Sequence, residues 1–346
     1  MRLLDPASAS SSEGRDIIVI GASMGGIEAV GRLLSALPAD LPASVFVVVH
    51  TAAHGPDLLA QVLNRTSTLL VLRAVEGERF EPRHVYVAPS DRHLIVGHDH
   101  MHVRRGPREN GARPAIDPLF RSAAAHCTTR VIGVVLTGLL DDGSAGLRAI
   151  KRCGGLAVVQ DPSDAAFAQM PRSAIRHAPV DRVLPLDEIP AALVALALDR
   201  RPQPGEVPAD LRAEALIAAQ EFRDMEHDNR SGPLSPITCP DCHGTMQEIV
   251  DGGLVRYRCH TGHAYTLETL GTVQAEAWER ALYEAYRAQH ERSMVLRRMS
   301  ERARRDGASG AKLLEQRAES YEEGAELLRR LIAHGNAGGP VQESET

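Results

Sequence analysis

The chain has 346 residues, 43% apolar residues, 3% aromatics and a formal net charge of −6. That length holds one large domain plus something smaller, with a core built from Val, Leu, Ile and Ala rather than from rings. The negative balance, with no Lys/Arg run, argues against a nucleic-acid partner, and no apolar stretch approaches the roughly 20 residues of a membrane insertion. Residues 1–15 lack the apolar stretch of a signal peptide and read as a disordered, Ser-rich tail, so the expected location is cytoplasmic. Five cysteines do not form a disulfide framework: three belong to a metal-type pattern, and Cys127 and Cys153 read as buried thiols.

Residues 17–20, 45–49 and 131–136 are short β-branched runs, apolar on both faces, as parallel strands covered by helices are. Helical spacing follows the first run (Ile27, Val30, Leu33, Leu34, Leu37) and stops at Pro38; further helices are expected over 58–63 and 117–126. The runs 84–88, 93–96 and 100–104 are close enough to predict an antiparallel meander, and so a mixed sheet. Residues 156–160 form another buried strand and 189–198 a closing helix. The alternation predicts an α/β domain over 16–198, doubly wound around a mostly parallel sheet. Residues 199–236, with Pro202, Pro204 and Pro208 among charges, read as a linker carrying a short helix over 211–225.

Over 237–266 the pattern changes. Cys239-Pro240-Asp241-Cys242 and Cys259-His260-Thr261-Gly262-His263 enclose a hairpin turning at Asp251-Gly252-Gly253. Two short ligand pairs around a hairpin predict a zinc-ribbon-like module. Cys239, Cys242, Cys259 and His263 are the preferred ligands, with His260 and His243 as rivals. Three thiolates and one imidazole make a closed structural zinc site, whose removal should unfold the module and leave hydrolysis elsewhere intact. A redox Cys-x-x-Cys is the alternative, but it leaves Cys259 and His263 unexplained. Residues 267–334 predict a helical hairpin broken at 306–310. Its seam would be Trp278, Ala281, Ala285, Ala288, Val295 and Met299 against Leu314, Ala318, Tyr321, Ala325, Leu328 and Ile332. The pair either packs on itself or serves dimerisation or partner docking, and the zinc module is expected to dock a regulatory partner or regulate access to the site. Residues 335–346 read as a disordered tail.

Three of the apolar runs end at a hydroxyl, an imidazole and a carboxylate: Ser23 within Gly21-Ala22-Ser23-Met24-Gly25-Gly26, His50, and Asp142 within Asp141-Asp142-Gly143. Ligands of parallel sheets gather at the strands' carboxyl ends, so these groups point to a serine hydrolase. A tight strand-to-helix turn exposes the serine, and Met24, Gly25 and Gly26 supply amides for an oxyanion at the helix N-terminus. A Gly-rich turn also suits phosphate binding. His54 rivals His50, and Asp141 rivals Asp142; Asp-Asp-Gly also fits a helix cap. The order Ser, His, Asp differs from the order in α/β-hydrolases.

The same region carries Val85-Tyr86-Val87-Ala88-Pro89 with Arg92-His93-Leu94, Arg113-Pro114-Ala115-Ile116-Asp117-Pro118-Leu119-Phe120, Leu136-Thr137-Gly138, and Met170-Pro171-Arg172-Ser173-Ala174. With the Gly-rich turn, the strand ending at His50 and Asp142-Gly143, these blocks resemble the catalytic domain of the CheB family of chemotaxis protein-glutamate methylesterases. The resemblance implies a triad of Ser23, His50 and Asp142, no catalytic cofactor, and hydrolysis of γ-glutamyl methyl esters on methylated receptor helices, often with deamidation of receptor glutamines. Met24 stands where the family usually has Thr, Val49 where it often has Gln, and Leu139-Leu140 where it has Met-Gly, so the pocket walls differ. The family's receiver domain is expected to be absent, because fewer than about 20 residues precede the first strand. Similar zinc modules and helical tails occur in receiver-less relatives. The other readings are a non-catalytic signalling adaptor and a serine esterase acting on a small ester.

Overall fold

The computed structural model describes residues 14–51, 57–199, 203, 206–219 and 232–335. His54, Pro202, Pro204, the second half of the expected 211–225 helix and both expected tails up to residue 13 and from 336 lie outside them. The chain divides into two compact units, one ending at Leu270 and the other beginning at Gly271.

The first unit alternates strands and helices: β1 (Ile17–Ala22), α1 (Gly26–Ala36), β2 (Ser44–Val49), α2 (Leu59–Asn64), β3 (Leu70–Arg73), β4 (His84–Val87), β5 (His93–Val96), β6 (Met101–Arg104), α3 (Ile116–Cys127), β7 (Val131–Val135), α4 (Ser144–Arg152), β8 (Leu156–Gln160), α5 (Gln169–His177), β9 (Arg182–Leu184), α6 (Ile189–Leu198) and α7 (Ala209–Ala219). Seven strands form one sheet in the order β3-β4-β2-β1-β7-β8-β9. Every pairing in it is parallel. The apolar runs are continuous because both faces are covered. Ile17 and Val19 join Phe46, Val48, Val131 and Val135 in one core, while Ile18 and Ile20 join Val45, Val47, Ile132 and Val134 in the other.

The expected meander splits. Strand β4 enters the large sheet parallel to β2 and β3, whereas β5 and β6 pair antiparallel in a separate two-stranded ribbon. The large sheet is therefore not mixed. Strands β3 and β9, and helices α4 and α5, were not apparent in the hydrophobic pattern. The two edge strands have only four and three residues and are partly exposed, which leaves little periodicity to read.

Beyond α7, β10 (Leu234–Thr238), β11 (Thr245–Asp251), β12 (Leu254–Cys259) and β13 (Ala264–Thr266) make a four-stranded antiparallel sheet in sequence order. The β11–β12 turn lies at Gly252-Gly253, both at positive φ. Two long helices follow: α8 (Leu267–Arg305), whose first residues belong to the first unit, and α9 (Ala311–Gly335). Among the described residues no helix is long and apolar enough to cross a membrane.

In the second unit α8 and α9 form the expected hairpin, but α8 presents a different face. Leu296 is 3% exposed and Ser293 and Ser300 are buried, whereas Val295 is 47% exposed and Trp278, Ala281, Ala285, Ala288 and Met299 are also exposed. The seam of α9 matches at Ala318 and Ala325, which are buried, but not at Tyr321, which is exposed. Two serines of this face of α8 bond to α9. Ser300 Oγ donates to Ala311 O at 2.9 Å, and Ser293 Oγ bonds Glu322 at 3.3 Å.

Candidate active site and metal centre

The strand order places β1 at the switch point, with β2 on one side and β7 on the other. Their carboxyl ends bring together residues 27 and 92 positions apart in the chain. Ser23 Oγ lies 3.1 Å from His50 Nδ1, and His50 Nε2 lies 2.7 Å from Asp142 Oδ2.

Ser23 ends β1 in a turn fixed from both sides. Its own N–H donates to Thr137 O at 3.0 Å, and its carbonyl accepts Gly26 N–H at 2.8 Å. Gly25 has φ 74, a left-handed conformation that admits glycine without strain, and caps α1. Met24 is half exposed beside it and its carbonyl accepts the Thr137 hydroxyl at 3.1 Å. Of the three predicted turn residues, Gly26 already has its amide engaged with Ser23, which leaves the amides of Met24 and Gly25 at the helix start. Gly138 closes the other wall: a Cβ there would come within 2.8 Å of Ser23 Cβ.

Asp142, rather than Asp141, meets His50. Its Oδ2 accepts His50 Nε2 and Ile116 N–H (2.6 Å); its Oδ1 accepts Asp117 N–H (3.1 Å), Asn110 Nδ2 (3.0 Å) and its neighbour Gly143 N–H (3.0 Å). Burial acts to raise its pKa, but the His50 bond and charge with the Ile116 and Asn110 donors hold it below the ordinary carboxylate value. An ionised Asp142 then fixes the His50 tautomer, with the proton on Nε2 and the lone pair of Nδ1 toward Ser23. Asp141 faces the other way. It accepts Thr269 Oγ1 at 2.8 Å, and burial pushes it up to about 6. Asp117 is raised to about 7 by burial and by the neighbouring Asp142, and it accepts Gly143, Gly146 and Asn110.

Asn110 was not singled out from the sequence. The available signal was Asn110-Gly111, a turn dipeptide, and both residues take positive φ. Thr137 was legible only as part of a strand end, yet it ties the Ser23 turn to residue 167 through its hydroxyl.

The four preferred metal ligands also converge. One donor atom from each of Cys239, Cys242, Cys259 and His263 lies within 4.8 Å of all the others. Cys242 and Cys259 Sγ are 3.6 Å apart, and His263 Nδ1 lies 3.6 Å from Cys239 Sγ and 3.5 Å from Cys259 Sγ. A tetrahedron with Zn–S about 2.3 Å and Zn–N about 2.0–2.1 Å requires edges of about 3.8 Å (S–S) and about 3.6 Å (S–N). The donor set therefore fits such an ion. His260 and His243 are exposed, and neither belongs to the cluster. Asp241 Oδ2 lies 3.8 Å from His263 Nε2 and accepts Tyr265 OH at 2.7 Å.

With this geometry established, comparisons with known proteins place the α/β part. The family model for CheB methylesterase matches residues 18–193. The chain belongs to the CheB methylesterase family. It is similar to protein-glutamate methylesterase/protein-glutamine glutaminase 2 of Anaeromyxobacter dehalogenans, at 43% identity over 188 residues, covering 54% of each chain. It is also similar to the Methanosarcina mazei protein of that name, at 37% identity over 190 residues, covering 53% of this chain and 52% of the other. The chain spans about half the length of these curated relatives. Among solved structures it resembles the CheB methylesterase catalytic domain of Thermotoga maritima, with a TM-score of 0.51 and 34% identity, covering 52% of this chain and 98% of that one. Apart from Ile17, strands β1 to β9, and with them Ser23, His50 and Asp142, fall inside the CheB match; the Cys/His cluster falls beyond it.

Proposed function

We propose that this CheB-family protein is a serine hydrolase that cleaves γ-glutamyl methyl esters on receptor proteins. The observation that carries this reading is the chain of two hydrogen bonds from Ser23 to Asp142 through one imidazole. Ser23 Oγ attacks the ester carbonyl carbon while its proton passes to His50 Nδ1. His50 Nε2–H stays on Asp142, whose charge stabilises the imidazolium. The amides of Met24 and Gly25 receive the oxyanion, each such donor contributing about 10²–10³ in rate. Collapse breaks the bond to methoxide, which leaves as methanol with the proton from His50 Nδ1. Water, activated by the same nitrogen, then releases the glutamate. The same steps with ammonia departing would deamidate a glutamine.

A protein substrate is supported by the exposed apolar rim around the serine, formed by Met24, Leu139 and Phe167, and by the names of the relatives. Free cysteines throughout suit a reducing cytoplasm. The exposed Trp278, Val295 and Met299 of α8 support a regulatory partner on the helical hairpin. Cys239, Cys242, Cys259 and His263 would hold a zinc ion in a closed structural site. When bound, the ion supplies folding energy to the small sheet and offers no open position for chemistry.

The test is methanol release from receptor fragments carrying methylated glutamates. Wild type should turn over and Ser23→Ala should not. Turnover by Ser23→Ala would remove the nucleophile, and cleavage restricted to small esters would remove the receptor substrate.

A further inference from the structure

The Cys/His sheet is joined to the triad acid by a short path of hydrogen bonds. Directly after His263, Ala264 N–H donates to Arg108 O at 3.3 Å, and Asn110 N–H donates to Ala264 O at 2.8 Å. Thr266 N–H then donates to Asn110 Oδ1 at 3.1 Å, while Asn110 Nδ2 donates to Asp142 Oδ1 at 3.0 Å. One amide side chain thus spans β13 and the carboxylate that orients His50. A second link runs alongside, from Thr269 Oγ1 to Asp141, the residue before Asp142.

The loop carrying Asn110 is braced by buried charge and by buried His93. His93 accepts Ala115 N–H at Nδ1 and donates from Nε2 to Pro107 O. Glu109 pairs with Arg121 of α3 and with Arg258 of β12, and Glu214 of α7 pairs with Arg256 and Arg258. All five of these charged residues are buried. Such a network is stable only when every partner is present, and β12 supplies two of them one and three residues before Cys259. Metal ligation there would fix the strands that complete the cluster and hold the loop.

We propose that metal binding at Cys239, Cys242, Cys259 and His263 sets the position of Asp142, and that Asn110 is the positioning residue that transmits it. The proposal rests on the hydrolase reading above, and it replaces the independence of metal and hydrolysis expected from sequence. Asn110 sits at φ 50, so Asn110→Gly removes the side chain without straining the backbone.

The experiment compares the full chain loaded with zinc(II), stripped by chelator and reloaded, with Asn110→Gly in the same states and Ser23→Ala as the blank. Metal content is read by elemental analysis. The state of Asp142 is read from amide exchange at Ile116 and Asp117 and from the low-field proton resonance of His50 Nε2–H. Stripping should speed both amides, weaken the resonance and lower kcat about 10-fold or more, with KM changed less than about twofold, and zinc should reverse all of this. Asn110→Gly should reproduce these changes with its metal retained, and stripping it should add less than about twofold. Unchanged exchange and resonance in the stripped protein would overturn the coupling. If stripping unfolds the whole chain, Asn110→Gly decides: a normal resonance and kcat there overturn the proposal. Absence of methanol from the zinc-loaded chain, with the exchange response present, would instead remove the hydrolase reading and leave the coupling standing.

Discussion

The two side-chain clusters of the first unit are built on opposite principles. Ser23, His50 and Asp142 come from three strand ends, successive members 27 and 92 positions apart, and meet because two apolar cores hold the parallel sheet. Cys239 to His263 lie in one short segment whose strands bury few large apolar residues, mainly Met246, Leu254, Tyr257 and Tyr265. The first cluster inherits its geometry from the fold, so its side chains can be removed without loss of structure. In the second the proposed ion would carry the local fold, so that chemistry and structure could not be separated there.

Changes in the triad should sharpen that contrast most. Ser23→Ala should lower methanol release by about 10⁴-fold or more, with the thermal midpoint close to wild type in calorimetry. Asp142→Asn should cost about 10⁴-fold in kcat, since an amide there favours the wrong imidazole tautomer. A midpoint lowered by many degrees in Ser23→Ala would break the contrast.

At the seam between the clusters, Arg258→Met should destabilise the first unit by about 3–5 kcal/mol in urea denaturation, because Glu109 and Glu214 stay buried with less compensation. A smaller and pH-dependent effect belongs to Asp141. Its folded pKa of about 6 lies above the ordinary 3.8, so the unfolded chain releases that proton first. The Asp141 contribution to stability should therefore fall as pH rises from about 4 to about 6, by up to about 3 kcal/mol, and stay level above. Asp141→Asn should be the more stable protein at pH 8, with the gap closing below about pH 4. Equal pH profiles would place Asp141 in a solvated setting. In the second unit, Leu296→Ala should cost about 2 kcal/mol and Val295→Ala less than about 0.5 kcal/mol; the reverse order would restore the seam expected from sequence.

Much of the catalytic unit was legible because strand burial leaves a signal that needs no tertiary information. Ile17 to Ile20, Val45 to Val49 and Val131 to Val135 are apolar at every position, and the residues that follow them are the ones brought together. The helix closing the α/β domain was likewise legible from end to end. Short edge strands, the parallel pairing of β4 and the face of α8 were not, because each depends on which neighbour covers it. Between Asp142 and its rival Asp141 the residues alone decided little, since both follow the same strand, and it was the family resemblance that pointed to Asp142.

What the sequence by itself determined is the set of groups and the two local frameworks: a strand-end serine, imidazole and acid, and a run of Cys and His spaced for one ion. Tertiary structure decided the contacts between those frameworks. Asp142 turns toward His50 and Asp141 toward Thr269, and Asn110 spans 156 positions to reach Thr266 while also holding Asp142. Spacing fixes which side chains can share a turn or a strand face, but a hydrogen bond across that many residues exists only once packing has brought its two backbones together.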